Sequence, residues 1–418
     1  MNLNRRDLLA LAALPALTGC ATAPAIAESP LGWASVGNTT GGANAASQHI
    51  FDVRDRAGLD AALRMGDTPK IIRIHGLIDL GPGGAEAFRD PAFSVDAFDR
   101  AYDPATWGRD EPKGPVEDAR RRSAKRQAAA ITVRLPSNTT LLGATSGAGF
   151  THGMVLLEKV QNIVIRDLHF SDAYDHFPAW DPKDNGHGEW NSEYDTVSLR
   201  GAERVWVDHC HFDDGQRPDH LEPIRLGQRV QHHDGLLDIT NGSDLVTVSW
   251  CRLQAHDKTM LIGSSDSRTS DDGKLRVTLH HNHFHGCKER TPRVRFGRVH
   301  VASNLFSADR SEDFGYSLGV GMQSRIVSEG NAWELPAGIT ADRLIRRLKG
   351  TAFVDRGSRL NGQPVNILAA WRAAHPDERL SADVGWRPEE AYDTAALRSD
   401  ASNRLAEQIR AGAGPCRP

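Results

Sequence analysis

Six stretches of the chain share one pattern: alternating apolar positions, a polar corner, and an apolar or aromatic residue that closes it. They cover residues 162–170, 204–212, 245–253, 276–284, 298–306 and 325–333; one reads Arg204-Val205-Trp206-Val207-Asp208-His209-Cys210-His211-Phe212. The closing residues Phe170, Phe212, Leu253, Phe284, Phe306 and Trp333 follow one another at steps of 42, 41, 31, 22 and 27. Each stretch reads as a short period-2 strand. Such a strand needs a neighbour to bury its inward face, which is the logic of a solenoid. The shortest step is close to one coil of a right-handed parallel β-helix, and the longer ones leave room for loops or an extra coil. The predicted fold is therefore all-β: a right-handed parallel β-helix with loop insertions and short helices near its ends. An antiparallel sandwich would show tight turns at regular spacing, and here the gaps are long and uneven.

The seventh position of the pattern carries Asn282, Asn304 and Asn331, placed to stack as a ladder that bonds the corner backbone. Cys210 and Cys251 hold that position in adjacent repeats. Coils about 4.8 Å apart would allow a disulfide between them, or leave two buried thiols. Helices are expected only over 57–65, 342–349 and 395–409. A polar insertion occupies about 82–130, and its basic run Arg120-Arg121-Arg122-Ser123-Ala124-Lys125-Arg126 reads as a solvated helix face or loop. A C-terminal cap is expected over about 336–418.

Residues 1–27 read as an export signal, leaving 28–418 as a single β-helix domain. Arg5-Arg6 before Leu8-Leu9 resembles a twin-arginine leader. Leu17-Thr18-Gly19-Cys20 resembles a lipobox with Cys20 as the lipidated residue, while Ala25-Ile26-Ala27 offers a rival cleavage site. The expected location is the periplasm or the outer membrane, with secretion as the alternative. After the leader, no run of 18 or more apolar residues offers a membrane span. The net charge of −4 excludes a strongly basic nucleic-acid module. Beyond Cys20 the cysteines are Cys210, Cys251, Cys287 and Cys416, without the C-x-x-C spacing of structural zinc sites.

Two segments carry candidate chemistry. In Asp234-Gly235-Leu236-Leu237-Asp238 the two acids share one strand face, about 13 Å apart if the strand is straight. A bend at Gly235 and a third acid from a neighbouring coil would make a hard oxygen site suited to Ca²⁺; acids at a strand end explain the same spacing. Lys288 to Arg298 holds five cations against Glu289, suited to carboxylates or phosphates, or to pairing with the solenoid's own acids. Gly315-Tyr316-Ser317-Leu318-Gly319 matches a nucleophile elbow, but no helix is expected after it. The run His280-His281-Asn282-His283-Phe284-His285 reads as corner packing, since alternation sends its side chains to different faces.

Several motifs in order resemble the bacterial pectate lyases of polysaccharide lyase family 1. They include Glu189-Trp190-Asn191-Ser192-Glu193-Tyr194-Asp195, Val205-Trp206-Val207-Asp208-His209, His233-Asp234-Gly235-Leu236-Leu237-Asp238-Ile239, His256-Asp257-Lys258-Thr259-Met260-Leu261-Ile262-Gly263 and Arg290-Thr291-Pro292-Arg293-Val294-Arg295-Phe296-Gly297. Weaker echoes extend the likeness to about residues 32–390. The resemblance implies Ca²⁺-dependent β-elimination of polygalacturonate by a monomer, giving 4,5-unsaturated oligogalacturonides. It implies that Asp195, Asp234 and Asp238 hold Ca²⁺, with Asp184 at an additional substrate-bridging ion. Lys258, Arg293 and Arg295 would bind the uronate, and Arg290, Lys258 and Arg295 would form the catalytic set. Arg290 is the expected base. Bringing a free guanidinium to pH 9 needs roughly 5–7 kcal/mol; Arg293, Arg295, Lys258 and Ca²⁺ nearby are expected to push that way, with an alkaline pH optimum as the consequence. Lys258 as base with Arg290 as electrophile is the internal alternative. A non-catalytic polyuronate-binding β-helix and a pectin lyase are the competing functions; the first would lack the cations and the second the acids.

Overall fold

The corner position decides how each repeat folds. In the computed structural model, which describes residues 29–398 and 404–416, every one of the six stretches is two strands rather than one. The sixth residue takes a left-handed φ: Asp167 57°, His209 50°, Trp250 50°, His281 55°, Ser303 51° and Gly330 62°. For non-glycine residues this conformation costs roughly 1–2 kcal/mol. It bends the chain from a strand such as Glu203–Asp208 into the next, His211–Asp213. Val205, Val207, Cys210 and Phe212 all stay buried through the bend.

Repetition of this unit builds three long sheets of 10, 8 and 10 strands. The first runs from Ile50–Val53 to Phe353–Arg356, the second from Thr132–Arg134 to Ile345–Arg347, and the third from Leu77–Asp79 to Gln363–Pro364. Pairing within them is parallel except at the final hairpin. The fold is the expected parallel β-helix. Successive repeats pair directly, Ile163 with Val205, Val205 with Val246, and Val246 with Val277. The steps of 42 and 41 residues are thus single coils with long loops, and no extra coil intervenes. One loop carries the hairpin of Ala179–Asp181 with Glu189–Asn191, and the other that of Ile224–Arg225 with Gln228–Arg229.

The interior is stacked in columns. Phe150, Phe170 and Phe212 stack at 5.8 and 5.2 Å between ring centres, and Phe284, Phe306 and Trp333 at 5.0 and 4.8 Å. The asparagine ladder forms. Asn304 Oδ1 accepts from the backbone N–H and Nδ2 of Asn282 at 2.9 and 3.0 Å, and Asn331 Oδ1 accepts from those of Asn304 at 2.8 and 3.1 Å. Asn282 Oδ1 accepts from the amide of Cys251 at 2.9 Å, and the amide of Cys210 points at Cys251 Sγ at 3.4 Å. Cys210 and Cys251 are free thiols, two further rungs of the same column.

The helix expectations need correction at two places. The helix Arg56–Leu63 forms, with Asp55 capping the amide of Gly58. Residues 342–349 are not a helix: a 3₁₀ turn over Ala341–Leu344 leads into the strand Ile345–Arg347, which extends the second sheet beside Leu318–Val320. In the tail, the 3₁₀ turn Ala395–Leu397 and the helix Leu405–Gly412 are separate. The insertion at 82–130 is helical, and its longest element, Pro115–Ile131, goes beyond the helices expected from the sequence. The basic run lies on it but is only partly solvated: Arg120 is buried, in a two-point ion pair with Glu117, and donates to the carbonyl of Phe177 at 2.6 Å. The expected leader lies outside the described residues. No helix among the described residues is long and apolar enough to cross a membrane.

Candidate active site

The second sheet gathers the charged residues. Asp195 stands two residues before the strand Val197–Arg200, and Asp234 three before Leu237–Thr240. Lys258 and Arg290 stand three before Leu261–Ile262 and Arg293–Val294. These four strands are consecutive neighbours in parallel register, so residues remote in sequence fall on adjacent rungs about 4.8 Å apart. Acids occupy the first two rungs and cations the next two.

The segment holding Asp234 and Asp238 is not a straight strand. The amides of Leu236 and Leu237 both donate to the carbonyl of Thr259, at 3.0 and 3.3 Å, and regular pairing begins only at Leu237. The bend tucks Gly235 beneath two carboxylates. Its amide donates to Asp195 Oδ1 at 3.0 Å, and a Cβ there would stand 2.6 Å from Asp238 Oδ1 and 2.8 Å from Asp195 Oδ1. Asp195 and Asp238 are buried, whereas the side chain of Asp234 is 39 % exposed. Burial, then the charge of Asp234, pushes the Asp195 carboxyl up to about 7; burial and the other two acids hold that of Asp238 well above its ordinary value. Mutual repulsion among the three opposes full ionisation unless a cation stands near, although their ligand oxygens do not all come within 4.8 Å of one another, Asp234 being paired with Lys258. This all-oxygen donor set fits a hard divalent ion such as Ca²⁺.

Lys258 Nζ lies 3.3 Å from Asp234 Oδ1. Arg290, at φ 60° before the cis Thr291–Pro292 bond, donates from Nε to Glu289 Oε1 at 3.1 Å. Burial acts to lower its pKa, but Glu289, Tyr316, Asp238 and Asp234 outweigh burial and hold the guanidinium above its ordinary value. The depressed arginine is Arg293, lowered by burial and by Arg295 and Arg290. Among the described residues its buried Nε has no hydrogen-bond partner. Arg295 is committed to the framework: it donates to Asp266 Oδ1 at 2.8 Å and to the carbonyls of Gly263 and Ser264 at 3.0 and 3.3 Å. Asp184 lies at the tip of the hairpin following Ala179–Asp181, on a loop rather than a sheet rung.

Two histidines stand behind the acids, beyond the candidate site residues that the sequence offers. His256 Nε2 donates to the Asp234 carbonyl at 2.7 Å while Nδ1 bonds Asp214 at 2.8 Å. His233 Nδ1 bonds Asp219 at 2.7 Å and Nε2 bonds Asp172 at 3.0 Å. Both rings are buried, and together they brace the loop that presents Asp234. A sequence signal exists, since each histidine directly precedes an aspartate in its motif. Asp172 and Asp214 reach these rings from neighbouring coils, whereas Asp219 lies in the same loop as His233.

The two decoys have structural explanations. Ser317 is buried, its hydroxyl accepts from Trp333 Nε1 at 2.8 Å, and a strand, not a helix, follows it. In the histidine run, His281 stacks on Trp250 at 4.5 Å while His283 and His285 both bond Ser307.

Comparison with known proteins identifies the family. The family model described as pectate lyase matches residues 8–95 and 116–374. A pectate lyase of Bacillus subtilis is 42% identical over 370 residues, covering 85% of this chain and 86% of the relative. Pectate lyase D of Dickeya chrysanthemi is 36% identical over 358 residues, covering 83% of this chain and 82% of its own. A solved pectate lyase bound to a hexasaccharide superposes with a TM-score of 0.85 at 41% identity, covering 92% of this chain and 96% of that one. A polysaccharide lyase by fold and by relatedness over most of its length, the chain belongs to the pectate lyase family.

Proposed function

We propose that this protein is a Ca²⁺-dependent pectate lyase that cleaves α-1,4-linked polygalacturonate by β-elimination, releasing 4,5-unsaturated oligogalacturonides. The observation that carries the reading is the succession of Asp195, Asp234 with Asp238, Lys258 and Arg290 on consecutive rungs of one sheet. It sets anion-rich and cation-rich positions along a single surface, as a polyuronate bridged to the protein by a cation requires. The solved relative bound to a hexasaccharide supports an oligosaccharide ligand of this kind.

In this reading Asp195, Asp234 and Asp238 hold Ca²⁺. When bound, the ion supplies positive charge to the substrate carboxylate and relieves the repulsion among the three acids. Lys258 grips the C6 carboxylate of the uronate that loses its proton. In its neutral form Arg290 takes the C5 proton, the electron pair of the C5–H bond becomes the C4–C5 double bond, and the C4–O bond breaks as the leaving oxygen takes a proton from solvent water. Negative charge grows on the C6 carboxylate in this step, so Lys258 contributes more in the transition state than in the ground state. Of the groups that hold Arg290 protonated, Glu289 and Tyr316 act most strongly, and a bound cation would neutralise the lesser pair, Asp238 and Asp234. Arg293, with a free Nε, binds a neighbouring uronate carboxylate, and Arg295 braces the groove through Asp266. The charged leader supports export as the route to such a substrate.

The test is ultraviolet absorbance during incubation with polygalacturonate at alkaline pH, with Ca²⁺ and separately with EDTA. A rise that EDTA abolishes and Ca²⁺ restores is expected. New reducing ends without that rise mean hydrolysis, and neither signal leaves a binding protein.

A further inference from the structure

The outer face of the third sheet carries a second group of metal-ligating side chains. His169 and Ser171 belong to one strand, His211 and Asp213 to the next, paired His169 to His211 and Ser171 to Asp213. Alternation turns Phe170 and Phe212 into the core and these four residues outward. His169 Nε2 lies 3.0 Å and His211 Nε2 3.4 Å from Asp213 Oδ2, and the two rings stack at 4.6 Å. Asp213 Oδ1 is already occupied, accepting from Ser171 Oγ at 2.6 Å and from the amide of Gly215 at 3.0 Å. That leaves Oδ2 as the shared point of two imidazoles. One of these, His211 Nε2, is buried without a hydrogen-bond partner among the described residues.

The spacing is that of metal ligands. Ligands about 2.0–2.2 Å from a tetrahedral ion stand about 3.3 Å from one another, and both nitrogen–oxygen distances bracket that value. One potential ligand atom from each of the three residues lies within 4.8 Å of the others. Bonds from Ser171 and Gly215 orient the carboxylate, as the groups behind the ligands do in metal sites. The side chains are 30 %, 22 % and 14 % exposed, leaving a fourth position open to water. A neighbouring cation, Arg252, pairs in register with His211 but is turned to the C-terminal helix, where it donates to the carbonyl of Arg410 at 3.2 Å. Two coils on, His283 and His285 hold the rows of His211 and Asp213, yet there both rings bond the hydroxyl of Ser307. A carboxylate is what sets the first group apart.

We infer that His169, His211 and Asp213 form a three-ligand site for a borderline divalent cation of the Zn²⁺ class, stapling two adjacent coils on a face other than the uronate groove. Two imidazoles and one carboxylate suit such an ion and not Ca²⁺. The site stands whether or not the acids on the second sheet bind calcium.

The experiment uses the whole protein, stripped of metal with EDTA, dialysed, and returned to excess Ca²⁺ so that the acid site is not counted. Zn²⁺ is titrated by calorimetry, and Co²⁺ by its visible absorption, which reports tetrahedral coordination. One equivalent per chain is expected, with affinity falling at least about tenfold in His211→Ala and in the milder His169→Gln. Asp234→Asn and His283→Ala should bind as the parent does. No stoichiometric uptake, uptake that survives both His211→Ala and His169→Gln, or uptake lost in Asp234→Asn or His283→Ala would each overturn the assignment.

Discussion

The amide of Gly235 donates to Asp195 Oδ1 at 3.0 Å, across two coils whose residues stand forty positions apart. The same glycine leaves no room for a side chain, because a Cβ would stand 2.6 Å from Asp238 Oδ1. Gly235 does not serve through unusual backbone freedom. It serves because the two carboxylates close over its Cα.

Gly235→Ala should therefore push Asp195 and Asp238 apart while leaving the solenoid folded. Ca²⁺ affinity is expected to fall by about tenfold or more, as when metal ligands lose their supports. Calorimetric titration of Ca²⁺, with circular dichroism as the folding control, measures this.

Lys258 and Arg290 are expected to separate binding of the ion from chemistry. Lys258→Met removes a cation 3.3 Å from Asp234, so Ca²⁺ should bind at least as tightly while kcat drops by about 10²–10⁴-fold. Arg290→Lys keeps the charge but changes the intrinsic pKa from above 12 to about 10.4. If residue 290 is the base, the rising limb of the pH–rate profile moves to lower pH; an unmoved limb assigns the proton to Lys258.

His233 predicts a pH dependence of stability. Burial disfavours its charged form, but Asp214 and the hydrogen-bonded Asp172 and Asp219 outweigh burial and raise the imidazole to about 10. A folded pKa above the unfolded value near 6.5 means the stabilisation is complete below about pH 6.5 and is lost as pH rises through about 10. The slope in that window reaches about 1.4 kcal/mol per pH unit. Thermal melts from pH 6 to 10 at fixed Ca²⁺ should show the decline, and His233→Gln should flatten it.

The ladder carries a cost that can be read directly. Asn304→Ala removes the acceptor of the Asn282 amide and the donor to the carbonyls of Leu279 and Ala302. The Ala302 carbonyl keeps its bond from the His281 amide, so two groups are stranded at about 1–3 kcal/mol each, and a loss of about 2–6 kcal/mol is expected in denaturant unfolding. Activity of the surviving folded fraction should be unchanged.

What the sequence by itself determined is whatever repeats along the chain. Alternation, a corner at the sixth position, asparagine, cysteine or leucine at the seventh and an aromatic or leucine at the ninth are local rules. Stacking in register converts them into columns, so the coils, the Asn282–Asn304–Asn331 ladder and the aromatic stacks were legible from the order of residues alone. The motif residues Asp195, Asp234, Asp238, Lys258 and Arg290 were legible too, and the structure brings them onto neighbouring rungs. The tertiary structure alone decided what depends on coils of unequal length meeting. Asp195 reaches Asp238 because the chain bends at Gly235. Arg295 spends its hydrogen bonds on Asp266 and two carbonyls rather than facing the groove freely. Glu289 and Tyr316, more than the acids of the adjacent rungs, hold the Arg290 guanidinium above its ordinary value. Helix Pro115–Ile131 escaped an apolar period because its buried side is largely polar, with Glu117, Arg120, Ser123 and Gln127 packed inward and satisfied by partners such as the Phe177 and Tyr174 carbonyls. Residues 345–347 became a strand because the open end of the second sheet offered hydrogen bonds that outweigh local helix preference.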